Sequence, residues 1–281
     1  MLTAATTTLA GDLGFPESPR WHDGRLVFSD FHDQRVRALT LDGELTTVLE
    51  LDDAPSGLGW TPEGVLLVVA MERRALLEVT ASGPVERADL HAYTRFRAND
   101  MVVDAVGRAY VGSFGYDLLA GAAPEPADLV RVDPDGTVSV AADGMHFPNG
   151  MVLTDDGGTL IVAETSGGRL TAFDVAVDGS LSRRRTFAEL PGLAPDGICL
   201  DAAGEIWVAT ARTPEVVRVR EGGEVTGRVT VSSGSLSYAC MLGGEDGRTL
   251  FVCTAPTFLP GGPRAGRIEV ASVDVPRAGR P

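Results

Sequence analysis

Two stretches of the chain share one grammar, and in each a side chain with oxygen donors sits at the same place. FPNGMVLTDDGGTLIVAE places Asn149 eight residues ahead of Gly157, and APDGICLDAAGEIWVAT places Asp196 eight residues ahead of Gly204. The same ruler finds Ser56 before Gly64 and Asn99 before Gly107, and, with a turn one residue shorter, Glu17 seven before Gly24. Taken singly, Pro-Asn-Gly and Pro-Asp-Gly read as turn tripeptides and Glu17 in FPESPRW as a loop residue. Their common position in a repeat is what makes them a set. A Glu, an Asn and an Asp brought together without Cys or clustered His form an all-oxygen group suited to a hard divalent ion such as Ca²⁺, with water completing the shell.

Such a set needs a scaffold that aims one residue per repeat at one point. Each block is a short polar start, an apolar run, a Gly-bearing turn and a second apolar run, the pattern of a β-hairpin beginning near Asn149 and near Asp196. Turn glycines recur at Gly24, Gly64, Gly107, Gly157, Gly204 and Gly247, at intervals of 40 to 50 residues. Six copies of that length, each with room for four short strands and no helical pattern, predict an all-β, six-bladed β-propeller with four antiparallel strands per blade. Outer strands show as alternating stretches around Asp-Gly or Gly-Gly turns, for example LVRVDPDG followed by TVSVAADG. The last copy ends at RIEVASVDV with no fourth strand, so LTAATTTLA at the N-terminus is expected to close the ring. Blades pack only in a ring, which predicts a single domain over residues 1–281. The first strand of each blade then lines the channel, and its first residue lies at one mouth together with the loops joining second to third strands.

Composition narrows the partners. The formal charge of −15, from 39 acidic against 24 basic residues, disfavours nucleic acid and anionic membrane and suits a protein that holds cations. MLTAATTTLAGDLG has no basic n-region and no long apolar core, and no other window approaches ~18 apolar residues, which predicts a cytoplasmic protein. Cys199, Cys240 and Cys253 fall in apolar strand-like runs and read as reduced, buried thiols.

At GFPESPRW, RANDMVVDAVGRAYVG, FPNGMVLT, PDGICLD and CMLGGEDGRTLFV the chain resembles the senescence marker protein, gluconolactonase and luciferin-regenerating enzyme family, which includes regucalcin-like lactonases. The resemblance spans essentially the whole chain. It implies a six-bladed propeller with one divalent ion in the channel, Ca²⁺ first and Zn²⁺, Mn²⁺, Mg²⁺ or Fe²⁺ as alternatives. The family's metal-binding Glu, Asn and Asp carry over onto Glu17, Asn149 and Asp196, and its substrate-contacting Arg and Asn onto Arg97 and Asn99. One departure is that the family's frequent Asn-Asp-Gly reads Asn99-Asp100-Met101, where Asp100 is expected to brace the site through hydrogen bonds.

The implied chemistry is hydrolysis of a sugar lactone to its hydroxy acid, with the ion polarising the carbonyl and Asp196 as general base. An ordinary Asp is a weak base, so water activated by the ion alone stands as the alternative. Ser113, Ser166 and Ser237 lie in no nucleophile elbow, and His22, His32, His91 and His146 lack metal-ligand spacing, which argues against a Ser-His-Asp hydrolase. His146 reads as a packed loop histidine. Two second-to-third-strand loops, GYDLLAGAAPEPADL and APTFLPGGPRAGR, are expected to overhang the site as walls bearing Tyr116, Leu118, Leu119, Phe258 and Leu259. The rival readings are a phosphotriesterase-like hydrolase, which would need a second carboxylate set in the channel, and a non-enzymatic calcium- or protein-binding propeller, which would leave Glu17, Asn149 and Asp196 unexplained.

Overall fold

Six sheets account for the chain in a computed structural model that describes residues 2–262 and 264–281. Five sheets have four strands and one has five, with no α-helix among the described residues. The innermost strands, taken in chain order, are Pro16–His22, Pro55–Trp60, Ala98–Val103, Pro148–Leu153, Ile198–Leu200 and Leu236–Gly243. Each touches the next, and the sixth touches the first, so the blades close into a ring. These strands are buried on both faces, whereas outermost strands such as Leu45–Glu50 and Val138–Met145 are largely half-buried or exposed, as their alternating sequences require. Between blades the core is aliphatic with a few large rings, among them Trp207, Phe28 and Phe251 around the junction of blades five, six and one.

Ring closure departs in detail from the expectation. The N-terminal stretch is divided between two blades: Leu2–Ala5 adds a fifth, parallel strand to blade five, beside Val225–Thr230, and Thr7–Leu13 pairs antiparallel with Gly266–Ser272 to complete blade six. Thr6 is the pivot. Its N–H donates to Thr230 O at 3.0 Å, its hydroxyl donates to the buried Glu269 carboxylate, and Ser232 N donates back to its Oγ1 at 2.9 Å. Sequence alternation cannot show this split, because both halves are short, polar and β-prone and only the gap between blades five and six tells them apart.

The innermost strands carry a second shared feature. In blades one, two, three, four and six their pairing with the second strand slips at the start, at Glu17/Arg20, Pro55/Leu58, Ala98/Met101, Pro148/Met151 and Ser237/Ala239. A bulge there re-aims the side chains it carries, and those are the residues the repeat ruler singles out. Asn149 and Gly150 fall within the bulge of blade four. In blade five, pairing starts only at Ile198, two residues past Asp196, although Asp196 N still donates to Ala209 O at 2.9 Å.

The glycines after Asn149 and Asp196 are not turn glycines. Neither has a positive φ. A Cβ on Gly150 would lie 2.6 Å from Asp196 O and Ile198 N, and one on Gly197 would lie 2.4 Å from the Ala239 Cβ. Adjacent inner strands therefore meet backbone to backbone, and Gly150 N donates to Asp196 O at 3.2 Å. At Met101, where the sequence departs from Asn-Asp-Gly, the side chain is buried and packs over Gly57, whose missing Cβ leaves the room.

The residues after blade six run across the opposite end of the channel. Ala278 N donates to Leu200 O, and Leu153 and Arg280 exchange both backbone hydrogen bonds. Arg277 reaches Trp21 O at 3.1 Å, and a cavity at that end is walled by Trp21, Trp60 and Arg277.

Candidate active site

At the N-terminal ends of the inner strands lies a cavity of about 340 Å³. Glu17, Asn99, Asn149 and Asp196 all line it, and so does Arg97 at its rim. The five residues read from the sequence are thus brought to one place. All six second-to-third-strand loops contribute to the wall, the two long ones through Phe114 to Leu119 and through Phe258 and Pro260.

Glu17 and Asp196 are buried carboxylates with little to neutralise them. Burial pushes the Glu17 carboxyl from 4.5 up to about 8, helped by the Asp100 charge and opposed by the Ser18 N–H, which donates to Oε2 at 2.8 Å, and by Arg20. Asp196 is held well above the usual carboxylate range by burial first, then by the Glu17 and Asp100 carboxylates, with the Asn149 carboxamide pulling it back. The nearest cation is spoken for. Arg20 lies beneath the site, buried, with its guanidinium on Asp100 Oδ1 at 2.5 Å and on the carbonyls of Leu58, Pro19 and Met101. Asp100 also accepts from Met101 N, so it braces the inner strands as expected and does not line the cavity.

Thr165, which the sequence reading passed over, sets the orientation of Asn149. Its hydroxyl donates to Pro195 O at 2.8 Å, so toward Asn149 it can only accept, and Asn149 Nδ2 donates to it at 3.1 Å. The amide must therefore present its oxygen away from Thr165. Because Pro195 immediately precedes Asp196, one hydroxyl ties two of the oxygen donors together.

A divalent ion fits this donor set by its chemistry. Two buried carboxylates, both held above their usual range by burial and by like charge nearby, with an oriented amide oxygen beside them, are a hard-cation arrangement. Among the described residues no three Cys, His, Asp or Glu side chains are grouped to hold a metal, and the expected set has two carboxylates with a carboxamide as its third member.

Ser56 Oγ donates to Asn99 Oδ1 at 3.4 Å, and the buried Asn99 Nδ2 has no partner among the described residues. Arg97 is steadied by Glu72, Nε to Oε1 at 2.6 Å. Tyr238 is a further residue missed from sequence: it lines the cavity, its hydroxyl donates to no partner among the described residues, and its pKa is pushed up by burial and by Asp196 and Glu17, with the Phe258 N–H pulling it back. The only sequence signal for it was its place two residues into the innermost strand of blade six. His32 also lines the wall, stacked on Phe15 at 5.3 Å, whereas His146 does not. Ser166 N donates to His146 O at 3.2 Å, but the Ser166 hydroxyl meets the Tyr116 hydroxyl at 3.1 Å and, among the described residues, no His ring nitrogen, so no nucleophilic triad forms there. Backbone strain borders the site at Ser18 and Phe147, with φ of 47° and 60°.

These features define a six-bladed propeller with an acidic, oxygen-lined pocket at one end of its channel. Residues 15–256 match the model of the SMP-30/gluconolactonase/LRE-like region, and the chain belongs to that family. It is 31% identical over 248 residues to a pentonolactonase of Haloferax volcanii, covering 85% of this chain and 81% of that one. It is 26% identical over 251 residues to regucalcin of Danio rerio, covering 85% and 82%. A solved gluconolactonase structure from Xanthomonas campestris superposes with a TM-score of 0.75 at 26% identity, over 98% of this chain and 89% of the other.

Proposed function

We propose that the protein is a metal-dependent lactonase, opening a sugar 1,4- or 1,5-lactone to its hydroxy acid, with a divalent ion, Ca²⁺ first, held by Glu17, Asn149 and Asp196. The observation that carries the reading is the pair of buried carboxylates in the cavity, both held above the usual carboxylate range, in a chain whose family includes proteins named pentonolactonase and gluconolactonase. When bound, such an ion supplies Lewis acidity at the ester carbonyl and stabilises charge on that oxygen in the transition state. Asn99 Nδ2 and the Tyr238 hydroxyl are donors without partners and orient the lactone's oxygens. Arg97, fixed by Glu72, holds the substrate from the rim.

Asp196 takes the proton of the attacking water. Without an ion, burial and the neighbouring carboxylates strengthen its hold on a proton, and a bound cation would offset them by favouring the ionised form, so Asp196 enters the reaction as a carboxylate able to accept that proton. As the carbonyl carbon becomes tetrahedral, that proton passes to the ring oxygen as the C–O bond breaks, and Asp196 is returned to its starting state. The three free buried cysteines suit a reducing compartment, and we place the protein in the cytoplasm.

The test is a lactone panel followed by pH indicator on chelator-stripped protein, with each divalent ion restored separately. Hydrolysis that appears only with an ion supports the reading. Full activity in the stripped protein, or none with any ion, rejects it.

A further inference from the structure

We propose that the lactone taken by this site is a deoxygenated relative of the sugar lactones, with one or two ring hydroxyls and an apolar alkyl or aryl substituent on the ring carbon that bears the ring oxygen, an inference that rests on the lactonase reading above and narrows its sugar class. The floor of the cavity is polar and its wall is not. On one side Phe15 packs edge-on against Tyr238, ring centroids 4.7 Å apart, with Phe31 at 5.5 Å. On the other, Phe147 packs against Phe114 at 4.7 Å and Tyr116 at 5.9 Å. A lactone ring seated on the floor stands between two aromatic walls.

Polar groups on those walls are already engaged. The Tyr116 and Ser166 hydroxyls meet each other and Thr165 is shared between Pro195 O and Asn149, while Arg97, tied to Glu72 through Nε, keeps its terminal nitrogens for the lactone at the rim. Deeper in, Asn99 Nδ2 and the Tyr238 hydroxyl are the lining donors buried without an acceptor among the described residues, with His32 and Arg212 further out on the lining. That inventory serves the carbonyl and one or two ring hydroxyls. A hydroxylated tail would reach past it into the aromatic wall, where each hydroxyl buried without a partner weakens binding by about tenfold or more.

Above the wall the two long loops leave apolar surface uncovered. Leu119 is 40% exposed and Phe258 38% exposed, and both line the cavity. Apolar side chains exposed at a cavity mouth are surface that an apolar substituent would cover on binding. The path from floor to rim is thus polar where a lactone ring sits and apolar where its substituent leads.

The experiment compares kcat/KM, in the ion-restored protein, for glucono-1,5-lactone and for δ-lactones bearing n-alkyl chains from methyl to heptyl at the ring carbon next to the ring oxygen. The expected result is a rise of about threefold to fourfold per methylene over the first few carbons. The best alkyl lactone should exceed gluconolactone by at least tenfold, and Phe258→Ser should flatten the dependence on chain length. Hydrolysis of gluconolactone in preference to the alkyl series, or a rate flat in chain length, overturns the inference and leaves the lactonase reading standing. Hydrolysis of no lactone with any ion overturns both.

Discussion

Glu17→Gln separates the electrostatics of the pocket from its chemistry. Gln has the shape of protonated Glu, and its side-chain carbonyl can still accept from Ser18 N–H, now held at 2.8 Å. In ion-free protein the Glu17 carboxyl titrates near 8 and in the unfolded chain near 4.5. A carboxyl whose folded pKa is raised contributes stability that is complete below the unfolded value and is lost as pH rises through the folded one. The gap between 4.5 and about 8 corresponds to about 5 kcal/mol at roughly 1.4 kcal/mol per pH unit, a ceiling on the penalty the wild type carries at pH 9. The substitution removes that penalty. Urea unfolding of chelator-treated proteins at pH 5 and pH 9 measures it: the variant should be within ~1 kcal/mol of wild type at pH 5 and more stable by several kcal/mol at pH 9. Adding a divalent ion should reverse the order, because the wild type gains binding free energy and the variant has lost a charged ligand. A stability difference that is the same at both pH values, or a wild type favoured at pH 9 without ion, would refute the reasoning.

Asp196→Asn keeps an oxygen donor and removes the base, so turnover at full ion occupancy should fall by ~10² or more, and a near-wild-type rate would reduce Asp196 to a ligand. Thr165→Val breaks the link between Asn149 and Pro195, and ion affinity by titration calorimetry should drop by about tenfold or more, with hydrolysis recovered in excess ion. Arg97→Ala should raise KM while leaving ion affinity unchanged, since Arg97 meets Glu72 at the rim and none of the three proposed ligands. Gly150→Ala should lower Tm sharply and weaken ion binding, because its Cβ would press on Asp196 O and Ile198 N at 2.6 Å.

The blade count, the four-stranded pattern and the equivalence of Glu17, Asn99, Asn149 and Asp196 were legible in the sequence because a repeat writes its geometry as spacing. Any residue at a fixed distance ahead of the turn glycine arrives at the same mouth of the channel, whatever else the chain does. Residues whose role depends on another blade left no such trace. Thr165 matters because Pro195 O faces it from the next blade, and Tyr238 because it reaches beside Asp196 and Glu17 from blade six. Gly150 and Gly197 looked like turn residues, since a sequence shows the missing side chain and not the neighbouring backbone that needs its space. The N-terminal strand was foreseen and its division at Thr6 was not, because pairing with blade five or six differs only in which strand edge stands open nearby. Local spacing determined where each side chain begins, and contacts between blades, distant in sequence and close in space, decided what each one meets.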